Sequence, residues 1–159
     1  MKHTISVLVE NKSGVLSRIA GLFSARGFNI ESLAVGETED HAISRMTIVV
    51  GGDERILEQV TKQLHKLIDV IKISDFTKES FINRDLILIK VTTEKSTRAE
   101  IMQLVDIFRA KIVDIGPKSV IIELTGSEDK VVAFTNLMKP FGIKEMVRTG
   151  RIAMTRGSK

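Results

Sequence analysis

The order of apolar runs and chain breakers repeats once along this sequence, and that repeat limits the fold more than any single motif does. In the first half, Thr4 to Glu10 is β-branched and partly alternating, which predicts a strand ending at the turn-forming stretch Asn11-Lys12-Ser13-Gly14. Val15, Leu16, Ile19, Ala20, Leu22 and Phe23 recur at helical spacing, and Gly27 is positioned to stop that helix in a left-handed cap. Ile30 to Glu37 and Ala42 to Val50 read as a hairpin around the polar run Thr38-Glu39-Asp40-His41. Gly51-Gly52-Asp53 breaks the second strand, with Asp53 as the N-cap of a helix whose apolar face is Ile56, Leu57, Val60 and Leu64. Val70 to Ser74 closes the unit as a last strand.

The same order then recurs. Leu86 to Thr92 is strand-like, and Thr97-Arg98-Ala99-Glu100 reads as a capping box opening a helix with the face Ile101, Leu104, Val105 and Phe108. Ile112 to Ile115 and Val120 to Thr125 flank the turn Gly116-Pro117-Lys118. Ser127 to Met138 predicts a fourth helix, stopped by Lys139-Pro140-Phe141-Gly142, and Ile143 to Met154 contains a final strand. A βαββαβ order makes a four-stranded antiparallel sheet covered on one face by two helices. The expected fold class is therefore α+β, with two tandem ferredoxin-like domains. Residues 1–76 form the first, 77–83 a linker, and 84–159 the second with a basic tail; 159 residues suit two domains of this size.

Composition removes several chemistries. No cysteine is present, which excludes disulfides, thiolate metal sites and cysteine nucleophiles. No apolar run approaches the roughly 18 to 20 residues of a membrane span, and Met1-Lys2-His3 leads directly into a strand-like segment. No membrane association and a cytoplasmic location are expected. His3, His41 and His65 fall in different elements without ligand spacing, so no metal role is assigned to them. No nucleophile elbow, dinucleotide glycine pattern or phosphate loop occurs, and Gly51-Gly52 is explained as strand-to-helix punctuation; no catalytic residue is assigned.

The net charge of +4 raises the question of nucleic acid. Residues 1–76 carry 9 Lys and Arg against 10 Asp and Glu, whereas 77–159 carry 15 against 10, so the basic excess lies in the second half. RNA-binding βαββαβ domains stack bases on aromatic side chains of the two central strands. Trp and Tyr are absent, and Thr4 to Glu10 and Ala42 to Val50 contain no Phe. No nucleic-acid partner is expected, although an RNA-binding module and an autonomous enzyme remain the alternatives, testable by salt-dependent oligonucleotide binding and by turnover of the chain alone.

The segment Asn11-Lys12-Ser13-Gly14-Val15-Leu16 puts a polar side chain and a glycine just before a helix start. Helix starts present unpaired N–H groups and partial positive charge, so a small carboxylate can bind there. A strand-to-helix turn using Asn and Gly for conformation alone explains the same residues, and the two readings stand side by side.

Val9 to Leu16 followed by Arg26-Gly27-Phe28-Asn29-Ile30 resembles the amino-acid-sensing ACT domain. Gly27 to Leu33, Ser44 to Ile48 and Gln63 to Val70 are similar, more narrowly, to the regulatory small subunits of acetohydroxyacid synthase, also called acetolactate synthase. Phe108 to Asp114, Glu123 to Gly126, Pro140 to Glu145 and Arg148 to Gly150 resemble the C-terminal domain of the same family. The blocks follow the family's order over nearly the whole chain. Ser13 stands where proline is common and Phe28 where tyrosine is common; neither change removes a group that would bind a ligand, though Ser13 leaves the loop less rigid.

The resemblance implies a chain without a catalytic site that activates a separate catalytic subunit and makes it sensitive to valine, in branched-chain amino-acid synthesis. It implies no cofactor on this chain, and thiamine diphosphate, magnesium and FAD on the catalytic one. It implies a homodimer of ACT domains whose edge strands join into one eight-stranded sheet, with valine or a related amino acid at the junction. The effector residues so implied are Asn11, Gly14, Val15 and Leu16 from the helix-start loop, and Asn29 and Ile30 from the start of the second strand.

Overall fold

The computed structural model of the chain describes residues 2–157, Lys78 by its backbone alone. The chain divides into two compact units, residues 2–82 together with 151–157, and Asn83–Gly150.

In the first unit β1 (Lys2–Glu10), α1 (Val15–Ala25), β2 (Ile30–Glu37), β3 (Ile43–Gly51), α2 (Glu54–His65) and β4 (Val70–Asp75) follow the expected order. The sheet order is β2-β3-β1-β4, all neighbours antiparallel, so β2 and β4 are the edges. One face of the central strands carries Ile5, Val7 and Val9 against Met46, Ile48 and Val50, and on it sit Val15, Ile19 and Phe23 of α1 and Leu57, Val60 and Leu64 of α2. Each such side chain removed from water contributes about 1.5–3 kcal/mol, which is what holds the helices to one face.

Two caps set the helix ends as the sequence indicates. Asp53 accepts from the Ile56 N–H at 3.1 Å to start α2. At the end of α1, Gly27 takes φ +70°, its N–H donates to the Ser24 carbonyl, and the Phe28 N–H donates to the Phe23 carbonyl at 3.0 Å. The Phe23 and Phe28 rings meet edge-on, 6.2 Å apart. This is a complete Schellman stop, and it directs the chain into β2 at Asn29 and Ile30.

The second unit repeats the plan with β5 (Phe81–Thr92), α3 (Arg98–Ile107), β6 (Lys111–Ile115), β7 (Ser119–Gly126), α4 (Glu128–Met138) and β8 (Ile143–Arg148), in sheet order β6-β7-β5-β8. Ile87, Ile89, Val91, Val120, Ile122 and Leu124 face Ile101, Val105, Val131, Phe134 and Met138. The expected capping box is not formed. The Thr97 hydroxyl bonds instead to the N–H and carbonyl of Glu94, because a turn hydrogen-bonded to Glu94 already precedes α3 and draws Thr97 into helical backbone.

The division of the chain also departs from the expected boundaries at two places. Phe81 and Ile82, within the stretch read as a linker, already belong to β5. The basic tail does not belong with the second unit: Ile152–Thr155 forms a short strand, β9, that packs in the first unit. Arg151 donates from its backbone to Ser32 Oγ at 3.0 Å and from Nη1 to Thr4 Oγ1 at 2.8 Å. The segment thus covers the sheet face opposite the helices, and Thr4, Ser6, Thr47 and Val49 on that face are buried. The polar members of the partial alternation in β1, Thr4 and Ser6, are thus buried rather than facing water.

Candidate functional site

The loop from Asn11 to Gly14 leaves β1 and starts α1. Asn11 is fixed twice: its backbone N–H donates to the Ala42 carbonyl at 2.8 Å, and its side-chain Nδ2 donates to the His41 carbonyl at 2.8 Å and to Glu37 Oε1 at 3.1 Å. His41 closes the cluster by meeting Glu37 Oε2 at 2.8 Å. The amide donors of Asn11 therefore hold the β2–β3 turn, while Oδ1 accepts no hydrogen bond from the described residues.

Gly14 is the N-cap of α1 at φ +87°, a left-handed conformation that an L side chain adopts only with strain. A Cβ there would also stand 3.1 Å from Nη1 of Arg18, whose Nε and Nη2 both bond Asp69 Oδ2 at 2.8 Å. No side chain caps α1 and no acidic residue lies in its first turn. Its unpaired N–H groups and partial positive charge are left for solvent or a ligand. The two nearby cations are already neutralised, Arg18 by Asp69 and Lys12 by Glu10 at 2.7 Å. The hydrogen bond and charge of Glu10 raise the Lys12 pKa above its ordinary 10.5.

The remaining expected residues separate by role. Val15 is buried in the core, so only its backbone is available to a ligand, whereas Leu16 is 47% exposed. Asn29 is exposed and Ile30 half-buried at the start of β2. Within one chain these last two do not meet the loop. Ile30 stands opposite Val50, and Asn11 follows Glu10, which stands opposite Ile43. The two halves of the expected site thus lie at opposite ends of the sheet, about 23 Å apart at roughly 3.3 Å per strand residue. Both border β2, whose outer edge has no strand partner among the described residues.

The sequence reading missed the Arg18–Asp69 clamp and the tie from Asn11 to the hairpin. Arg18 four residues after Gly14 marks the helix turn over the loop, but its partner is 51 positions away and carries no local signal. Among the described residues no group of three His, Cys, Asp or Glu is arranged to hold a metal ion, and no helix is long and apolar enough to cross a membrane.

Residues 5–72 match the model of the AHAS small subunit-like ACT domain, and residues 84–157 that of the small subunit of acetolactate synthase. This chain belongs to the family of acetolactate synthase small subunits. It is 61% identical over 159 residues to the probable acetolactate synthase small subunit of Archaeoglobus fulgidus, covering 100% of this chain and 99% of the relative. It is 54% identical over 156 residues to the small subunit of Aquifex aeolicus, covering 98% and 81%. The crystal structure of the Thermotoga maritima small subunit superposes with a TM-score of 0.90 at 43% identity, over 100% of this chain and 99% of that one. The family is that of small, regulatory subunits of a transferase holoenzyme, and the two βαββαβ units are its tandem ACT-like, ferredoxin-like fold.

Proposed function

We propose that this chain binds the catalytic subunit of acetolactate synthase, raises its activity, and makes it sensitive to inhibition by valine held between two copies of the first unit. The observation that carries the reading is the separation of the candidate residues along the sheet. Asn11, Gly14 and Leu16 stand at one end of β2, Asn29 and Ile30 at the other, and the edge between them has no strand partner among the described residues.

An exposed edge strand invites pairing with a copy of itself, and such a two-fold contact is self-complementary. If β2 pairs antiparallel with the partner's β2 about an axis between Leu33 and Ala34, Ile30 comes opposite the partner subunit's Glu37. Glu37 is bonded to Asn11, so Asn29 and Ile30 of one copy would face the helix-start loop of the other. Two equivalent pockets and one eight-stranded sheet result. In each pocket the N-terminus of α1 would receive the carboxylate of valine, the vacant Oδ1 of Asn11 its ammonium group, and Leu16 and Ile30 its apolar side chain.

Thiamine diphosphate, magnesium and FAD belong, on this reading, to the catalytic chain. The test is to purify the chain with a catalytic subunit and assay acetolactate formation with and without valine. The chain alone is expected to form none, and the complex to run faster than the catalytic subunit alone and to slow with valine. Equal rates in a confirmed complex would refute the regulatory role.

A further inference from the structure

The face of the first sheet that turns away from α1 and α2 holds a groove of about 330 Å³ between the strands and the returning C-terminal segment. Arg45, Leu8 and Lys72 form one cross-strand row, Leu8 standing opposite both cations. At about 4.8 Å between strands the two cationic Cα atoms are about 9.6 Å apart, so both long side chains can converge above Leu8. Arg45 is half-buried and its Nη1 donates to Ser6 Oγ at 2.7 Å, which fixes the guanidinium against the floor of the groove. Neither Arg45 nor Lys72 has a carboxylate partner among the described residues. Phe76 and Met154 form an apolar wall, and no acidic residue lines the groove.

Other cations of this unit are paired with carboxylates, Lys12 with Glu10, Arg18 with Asp69 and Lys62 with Glu58, and Arg45 and Lys72 are the two that line the groove. Two unmatched cations over a concave, partly apolar floor are the arrangement that a small anion with an apolar body would complement. We infer that this groove is a second ligand site, on the opposite sheet face from the effector loop, for a small organic anion whose head carries two negative charges, such as a phosphate monoester. Two cations balance a doubly charged head better than a single carboxylate, and the Arg45 fork suits phosphate oxygens. Because Met154 supplies part of the wall, the site exists only while the C-terminal segment is docked.

The experiment is a titration of the isotopically labelled full chain, followed by amide chemical shifts, with phenyl phosphate, inorganic phosphate and phenylacetate in turn. Phenyl phosphate should give saturable shifts centred on Ser6, Arg45, Lys72 and Met154. It should bind about tenfold or more tightly than inorganic phosphate, which lacks the apolar body, and than phenylacetate, which has one charge. Lys72→Gln, at an exposed position, should weaken it by about tenfold. Met154→Glu, also at an exposed position, should abolish it by bringing a carboxylate to the wall. Shifts unchanged in both variants, shifts spread over lysines and arginines across the surface, or no saturation with phenyl phosphate would each overturn the proposal.

Discussion

Asn11 donates from its side-chain amide to the backbone carbonyl of His41 at 2.8 Å, and this bond, with the backbone bond from Asn11 to Ala42, ties the loop before α1 to the turn between β2 and β3. A change at either place is therefore felt at the other. The loop proposed to hold the effector and the edge strand proposed to carry the second copy are mechanically one element. On the proposed reading, a ligand in the loop would touch the same residue that fixes the end of the edge strand.

The first prediction separates the two asparagines. Asn11→Ala removes the side-chain tie to His41 and Glu37 as well as the proposed ligand contact, so it should weaken valine binding and lower thermal stability by about 1 kcal/mol. Asn29 is exposed and its side chain makes no hydrogen bond among the described residues, so Asn29→Ala should weaken valine binding alone, with stability unchanged to within about 0.5 kcal/mol. Calorimetry with valine and thermal melts on both variants distinguish the roles; a stability loss in Asn29→Ala equal to that of Asn11→Ala would show that the difference is wrongly drawn.

The second prediction concerns assembly. The full chain should be a dimer through β2, and Val35→Lys, at an exposed position on that edge strand, should weaken it by about tenfold by adding charge along the pairing edge. Sedimentation equilibrium across a concentration range measures this. A dimer unaffected by the substitution would move the interface away from β2, and with it the shared pocket.

A third prediction follows from the closing block Arg148-Thr149-Gly150, which has no part in the proposed effector site. Arg148 pairs with Asp85, which is 4% exposed and whose Oδ1 has no hydrogen bond among the described residues. Thr149 exchanges hydrogen bonds with the Leu86 backbone at 3.0 and 3.1 Å, and Gly150 turns at φ +89°. The block is a clasp on β5. Arg148→Gln leaves a buried carboxylate uncompensated and should destabilise by about 1–3 kcal/mol, the range kept low because the Arg148 side chain is partly solvated. Thermal unfolding checks it, with valine response expected to persist.

The fold was legible wherever the signal is local. Apolar spacing places Val15, Ile19 and Phe23 on the core side of α1, Asp53 is a cap by chemistry and position, and Gly27 marks a left-handed stop. The signal fails where a partner lies far along the chain. Thr97 has the composition of a capping box, yet a turn begun at Glu94 takes its hydroxyl first. The stretch Ile143 to Met154 reads as holding one final strand of the second domain, whereas it holds two, and the destination of the second, Ile152–Thr155, is revealed only by the bonds of Arg151 to Thr4 and Ser32. For the effector loop, the residues that hold Asn11 lie 26 and 30 positions away, so the composition of the motif conveyed its chemistry without its anchoring.

A fourth prediction addresses pH. Glu10 raises the Lys12 pKa above 10.5, and a raised lysine contributes its stabilisation fully below the unfolded value and loses it as pH climbs through the folded one. From about pH 6 to 9 the difference in stability between wild type and Lys12→Gln should therefore be constant, shrinking only above about 10.5. Denaturant unfolding at several pH values reads it; a difference that changes across neutrality would assign the titration to another group.

The last prediction uses two substitutions at one glycine to separate backbone strain from charge. Gly14 sits at φ +87° with Arg18 Nη1 3.1 Å from the place a Cβ would take, so any side chain there strains the backbone and displaces the guanidinium. Gly14→Ala should cost about 1–2 kcal/mol of stability, a fall of roughly 2–8 °C in Tm for a chain of this size. Gly14→Asp carries the same strain but adds an anion at an uncapped helix start, where negative charge is favoured by about 0.3–1 kcal/mol, so its melting temperature should recover part of that loss. The functional order runs the other way. In Gly14→Asp the introduced carboxylate occupies the position proposed for that of valine, and feedback inhibition should disappear while activation of the catalytic subunit persists. Gly14→Ala, which crowds the site without filling its anion position, should keep a weakened response. Inhibition curves and melts on both proteins give the answer: equal valine sensitivity in Gly14→Asp and wild type would remove the α1 start from the effector site and leave the loop a turn whose asparagine and glycine serve conformation alone.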